Sequence, residues 1–91
     1  NADPETSYTA QLFAGGPDSI LKKIGEECAE LIMAGKEGKR LKIVWESTDV
    51  IYHVLVLLAF YGLSVEDVLQ ELRRREGISG IDEKKSRKAA K

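Results

Sequence analysis

Between Leu41 and Tyr61 the chain carries apolar side chains in every direction of a helical projection, and this limits its possible folds more than any other feature. At about 100° per residue, Val44, Ile51, Leu55 and Leu58 cover one side. Trp45, Tyr52 and Val56 cover a second, and Ile43, Val50, Val54 and Tyr61 a third. A helix that is apolar all round is a buried helix. Glu46, Asp49 and His53 interrupt it on one stripe, at the spacing i, i+3, i+7. The two acids have no polar face to turn towards, and a carboxylate among apolar groups is costly unless something compensates it.

The rest of the chain also reads as helix. Pro4 and Pro17 are the only prolines, and both can open helices. A first helix is expected over about Glu5 to Phe13, broken by Gly15-Gly16. A second runs from Pro17 to about Lys36, with a turn at Glu37-Gly38. The third runs from about Arg40 to Tyr61, with Gly62 at its C-terminal cap. Ser64 caps a fourth, which has Glu66 and Asp67 at its positive end and Arg73, Arg74 and Arg75 at its negative end, and reaches about Glu76. Beyond Gly77 the basic run Lys84–Lys88 leaves two outcomes open, a frayed end or a short helix. The expected layout is a polar extension over residues 1–6, a helical domain over 7–77 and a basic tail over 78–91. The fold class is all-α, an antiparallel bundle of about four helices. A chain of 91 residues buries only about 60–65% of its unfolded surface, so pairing with a second copy is an accessible way to bury more.

Composition narrows the partners. A formal net charge of −1 gives no basic footprint for DNA or RNA. The N-terminus is polar and has no apolar leader core. The longest apolar run, Val50 to Tyr61, falls short of the ~20 residues that span a bilayer, so no membrane is expected. Cys28 is the only cysteine, so no intramolecular disulfide and no zinc spacing exist, and a reducing cytoplasmic setting is expected. It lies on an apolar face, as a small core residue does.

A second group of acids precedes the first. On the second helix Ile20, Leu21, Ile24, Cys28, Leu31 and Ile32 form one face about 120° wide. Glu27 lies at the edge of that face, Glu30 further round the same side, and Glu26 roughly opposite the core. The short turn near Glu37–Lys39 makes the two helices antiparallel. Glu27 and Glu46 are then level, and the pairs Glu27/Glu30 and Glu46/Asp49 can face each other. A hard divalent cation such as Mg²⁺, which prefers oxygen ligands, would compensate them. The ordinary alternative makes Lys22–Glu26 and Lys23–Glu27 solvated i, i+4 pairs and gives Glu46 and Asp49 N-capping or ion pairing with Arg73–Arg75. His53 reads first as a hydrogen-bonded core histidine. Carboxylate-held Mg²⁺ suits hydrolysis of a phosphoanhydride, with Glu26 or Glu27 orienting the water. No nucleophilic serine or cysteine constellation is present, which favours direct attack by water. Lys22, Lys23, Arg73, Arg74, Arg75 and Arg87 are the candidate phosphate-binding cations.

Several stretches carry a resemblance: SYTAQLF at Ser7–Phe13, KKIGEECAEL at Lys22–Leu31, ESTDVIYHVLVLL at Glu46–Leu58, GLSVEDVLQELRRR at Gly62–Arg75 and GISGIDEKKSR at Gly77–Arg87. Together they resemble the phosphoribosyl-ATP pyrophosphohydrolases, members of the all-alpha nucleotide pyrophosphohydrolases with the signature Glu-x-x-Glu followed by Glu-x-x-Asp. The resemblance implies a helical bundle completed as a homodimer. It implies Mg²⁺ on Glu27, Glu30, Glu46 and Asp49, with Glu26 joining them or acting on the water. The substrate would be a small nucleotide, phosphoribosyl-ATP, converted to phosphoribosyl-AMP and pyrophosphate in histidine biosynthesis. Cys28, Gly35 and Thr48 stand where the family pattern has alanine, and none is a proposed ligand. Two rivals remain: a house-cleaning hydrolase of dUTP or dCTP with the same four acids, and a non-enzymatic dimeric helical adaptor.

Overall fold

The computed structural model describes residues 7–90, with side chains to residue 88. The expected extension over residues 1–6 and the expected helix start at Glu5 lie outside the described residues. Five helices follow one another: α1 (Tyr8–Ala14), α2 (Gly16–Glu37), α3 (Arg40–Phe60), α4 (Val65–Arg74) and α5 (Gly80–Ala90). The described residues contain no strand. The all-helical reading holds, and the tail, open on composition, is helical.

The helix ends follow from local chemistry. The Ser7 hydroxyl caps α1 by accepting from the Ala10 N–H at 3.2 Å. Pro17 stands in the first turn of α2, where its missing donor is not needed. Gly38 ends that helix in the left-handed region at φ 73°, its N–H returning to the carbonyls of Ala34 and Gly35. At the end of α3 the Leu63 N–H reaches the Leu58 carbonyl at 2.8 Å and the Gly62 N–H reaches that of Ala59 at 3.0 Å. That pair of bonds needs a left-handed residue between them, and Gly62 supplies it at φ 71°. The Ser64 N–H donates to the Asp67 carboxylate at 2.9 Å at the start of α4.

The turn at Gly38–Lys39 folds α2 and α3 into a hairpin, and α1 lies across its open end. Leu12 from α1, Ile20 from α2 and Val56 from α3 form the core, with Ile24, Leu57 and Phe60 packed against them. Ile20 is fully enclosed, at 0% exposure. Phe13 meets Phe60 edge-on at 5.6 Å between ring centres.

One expectation fails within a single chain. The helix read as buried all round, α3, buries only His53 and Val56. Leu41, Val44, Trp45, Ile51, Tyr52 and Leu55 are exposed. One chain gives α3 a single long neighbour, α2, and one short one, α1, which cannot cover a helix on all sides. Within the single chain α4 buries none of its residues. By length and composition alone α3, with 21 residues, could cross a membrane. Its mid-helix acids oppose that, since a carboxylate at mid-bilayer costs about 2.5–3.5 kcal/mol to insert.

Candidate metal centre

The hairpin levels the two acidic groups as the short turn requires. Oxygens of Glu27, Glu46 and Asp49 all lie within 4.8 Å of one another. Oε2 of Glu46 is buried and has no hydrogen-bond partner among the described residues. A buried carboxylate oxygen without a partner is costly. The carboxyl of Glu27 is pushed above its ordinary value, first by its hydrogen bond with Glu30, then by burial and by the charges of Glu30 and Asp49, while Lys23 works in the opposite sense. The donor set is entirely carboxylate oxygen, includes one buried lone oxygen, and crowds negative charge. Those properties fit a hard divalent cation. Glu30 lies outside the trio, on the exposed side of α2, but its carboxyl reaches Glu27.

The other candidates fall into two places. Glu26 is exposed beside the trio, with its carboxylate 3.4 Å from Lys23 Nζ. Lys23 also reaches Glu27, at 3.6 Å. Lys22 is exposed on the same helix. The arginines are elsewhere. Arg73 pairs with Glu66 at 2.7 Å. Arg74 and Arg75 both hold Glu71, at 2.7 and 2.9 Å, and these bonds bring its carboxyl down to about 2. Arg74 also bonds Glu83, Arg75 approaches Glu83 at 3.6 Å, and Arg87 reaches it at 2.6 Å. So Arg73–Arg75 find their partners in Glu66, Glu71 and Glu83, not in Glu46 and Asp49.

Sequence reasoning missed two residues. Glu83, only 6% exposed, gathers three guanidinium groups and ties α5 to α4. Its one sequence cue was the i, i+4 spacing to Arg87. Tyr8 is the second: its hydroxyl lies 2.8 Å from Nε2 of His53, while His53 Nδ1 donates to the Asp49 carbonyl at 2.7 Å. The reading of His53 as a hydrogen-bonded core histidine matches this arrangement. Cys28 is half-buried and free.

Comparison with known proteins adds to this geometry. The family model for phosphoribosyl-ATP pyrophosphohydrolase matches residues 1–76. A phosphoribosyl-ATP pyrophosphatase of Dechloromonas aromatica (strain RCB) is 86% identical over 87 residues, covering 96% of this chain and 81% of that protein. One from Azoarcus sp. (strain BH72) is 62% identical over 87 residues, with the same 96% and 81% coverage. One from Geobacter sulfurreducens is 58% identical over 84 residues, covering 92% of this chain and 78% of that protein. With the acidic hairpin in place and a match over most of its length, the chain belongs to the phosphoribosyl-ATP pyrophosphohydrolase family.

Proposed function

We propose that the chain hydrolyses phosphoribosyl-ATP to phosphoribosyl-AMP and pyrophosphate, a step of histidine biosynthesis, with Mg²⁺ as cofactor. Family membership carries the reading, and the convergence of Glu27, Glu46 and Asp49 gives it a chemical site. Glu27, Glu46 and Asp49 hold the ion, and Glu30 completes the set from the next turn of α2. When bound, Mg²⁺ neutralises charge on the phosphate oxygens and acidifies a coordinated water. Glu26 stays outside the trio, so its carboxylate is the one free to orient the attacking water and take its proton. Lys23, beside the trio, faces the phosphates. Lys22, Arg73, Arg74, Arg75 and Arg87 make up the second tier of phosphate-binding cations. The working unit is a homodimer, which covers the exposed faces of α3 and α4.

Pyrophosphate release from phosphoribosyl-ATP with Mg²⁺ tests the reading. Glu46→Gln is expected to bring release to background while the helical circular dichroism is kept. Release from dUTP but not from phosphoribosyl-ATP would overturn the proposal, as would full activity in Glu46→Gln.

A further inference from the structure

The exposed sides of α3 differ in chemistry. In projection Trp45, Asp49 and Tyr52 fall within about 60° of one another, and Val44, Ile51 and Leu55 lie about 100° further round. The latter side is aliphatic, which suits packing against a second copy. The former is aromatic and contains Asp49 of the carboxylate trio. At 1.5 Å per residue, Trp45 stands about 6 Å before Asp49 along the helix and Tyr52 about 4.5 Å after it. A third ring comes from α1, where Tyr8 stacks on Tyr52 at 6.1 Å between ring centres. All three rings are open to solvent, Trp45 at 57%, Tyr52 at 37% and Tyr8 at 46% exposure. The polar ends of the two tyrosines are engaged within the protein. A carbonyl only accepts, so the Nδ1 of His53 that meets the Asp49 carbonyl carries the hydrogen. In the neutral ring Nε2 then accepts, and the Tyr8 O–H donates to it at 2.8 Å. The hydroxyls of Tyr52 and Thr9 bond to each other. His53 also meets Tyr8 and Tyr52 edge-on, at 5.7 and 5.1 Å between ring centres. Both tyrosines are therefore fixed, and what they leave exposed is aromatic ring. Phe13 and Phe60, by contrast, pack on each other beside the core.

We propose that the aromatic edge formed by Trp45, Tyr52 and Tyr8 receives the purine base of the substrate, which stacks there while its phosphates meet the ion held at Asp49. The placing of the phosphates rests on the function proposed above; the capture of a flat ring rests on the aromatic edge itself. Aromatic side chains bind bases through their π-faces, without reading a hydrogen-bond pattern. Rings already fixed by His53 and Thr9 lose little freedom when a base settles on them. The occupant is set by continuity, because the edge begins within one turn of a carboxylate that the phosphate chemistry uses. The base lies away from the bond that breaks and stacks equally before and during the reaction. Loss of stacking therefore appears in KM and leaves kcat in place.

Trp45 is the only tryptophan of the chain, so its fluorescence reports on this edge. With Mg²⁺ present, AMP is expected to quench it, and ribose 5-phosphate and pyrophosphate, which have no base, are expected to leave it unchanged. Tyr52→Leu and Trp45→Leu should each raise the calorimetric Kd for AMP and the KM for phosphoribosyl-ATP about tenfold, as loss of one stacking partner does. Pyrophosphate affinity, Mn²⁺ affinity by electron paramagnetic resonance, and circular dichroism should stay as in the wild type. Tyr52→Phe and Trp45→Phe, which keep a ring, should recover most of the loss. Equal quenching by ribose 5-phosphate would overturn the proposal, as would no recovery by either phenylalanine. Losses of pyrophosphate and Mn²⁺ affinity that match the loss for AMP would also overturn it, since they show a structural role. A blue-shifted tryptophan signal that ignores AMP would give the edge to the dimer interface and overturn it as well. If the wild type leaves phosphoribosyl-ATP intact while AMP still quenches Trp45 and its affinity depends on Tyr52, the base seat stands and the substrate reading fails. If the wild type turns over and both leucine variants keep KM and AMP affinity, the base seat alone fails.

Discussion

At the residue scale the informative question is which carboxylates share the burden of the cluster. Glu46 carries a buried oxygen with no partner among the described residues, and Glu27 carries a raised carboxyl. Glu26 lies outside the trio and is bonded to Lys23. Glu26→Gln is therefore expected to lower kcat about 10²–10⁴-fold, the usual worth of a general base, with Mn²⁺ binding retained. Loss of Mn²⁺ binding in that variant would move Glu26 into the ligand set. The pH dependence of stability follows from Glu27. Its folded-state value lies above the ordinary 4.5, so its contribution is complete below 4.5 and is lost as pH rises through the folded value. Glu71 runs the other way. Lowered from 4.5 to about 2, it contributes above 4.5 and loses that contribution as pH falls towards 2. Metal-free protein should thus lose thermal stability as pH rises through the window just above 4.5, and Glu27→Gln should flatten that slope. Mg²⁺ at about 100 times its Kd should restore about 2.7 kcal/mol at neutral pH, read by scanning calorimetry. No stabilisation by Mg²⁺ would count against the metal centre.

At the element scale the hairpin α2–α3 and the pair α4–α5 are held by different forces. The hairpin joins through apolar packing at Ile20 and Val56. The pair α4–α5 joins through charge, with Glu83 at its centre. Helix α5 has 11 residues, and an isolated helix of that length is marginal in water. The arginines around Glu83 are more than a third exposed and rehydrate when it is removed, so the direct loss in Glu83→Ala is about 1 kcal/mol or less. That is enough to melt α5. The variant should show a drop in helical circular dichroism no larger than α5 contributes, with Mn²⁺ binding unchanged. Composition left the tail undecided because the deciding partners, Arg74 and Arg75, lie before the Gly77 break, beyond the reach of local propensity.

At the scale of the whole molecule the chain is more open than a compact chain of its size. It exposes 6994 Å², against about 5,300 Å² for a compact chain of its mass. Its radius of gyration is 16.1 Å, against about 12 Å for a compact chain of its length. The excess surface is apolar: Ile32, Met33, Leu41, Val44 and Ile51 on the hairpin, and Val65, Val68, Leu69 and Leu72 on α4. A second copy is the economical cover, since a standard interface buries about 800 Å² per partner. Light scattering should give twice the chain mass of 10.1 kDa. The pair of changes Leu41→Glu and Ile51→Glu should yield monomers of lower thermal stability. A monomeric wild type would overturn the dimer.

The sequence by itself determined the helices, their ends and the level of the acids. Gly38, Gly62 and Ser64 act on their immediate neighbours, and a short turn makes register a matter of counting. It also brought Glu27, Glu46 and Asp49 to one place, because an antiparallel hairpin leaves them no other. Only the tertiary structure decided that Glu30 stands outside the trio, that Glu83 collects the arginines, and that Tyr8 reaches His53. Each of those depends on side-chain direction across elements, or on a residue far away in the chain. Helical periodicity sets the face a residue occupies, but the neighbour that face meets is set by how the helices pack.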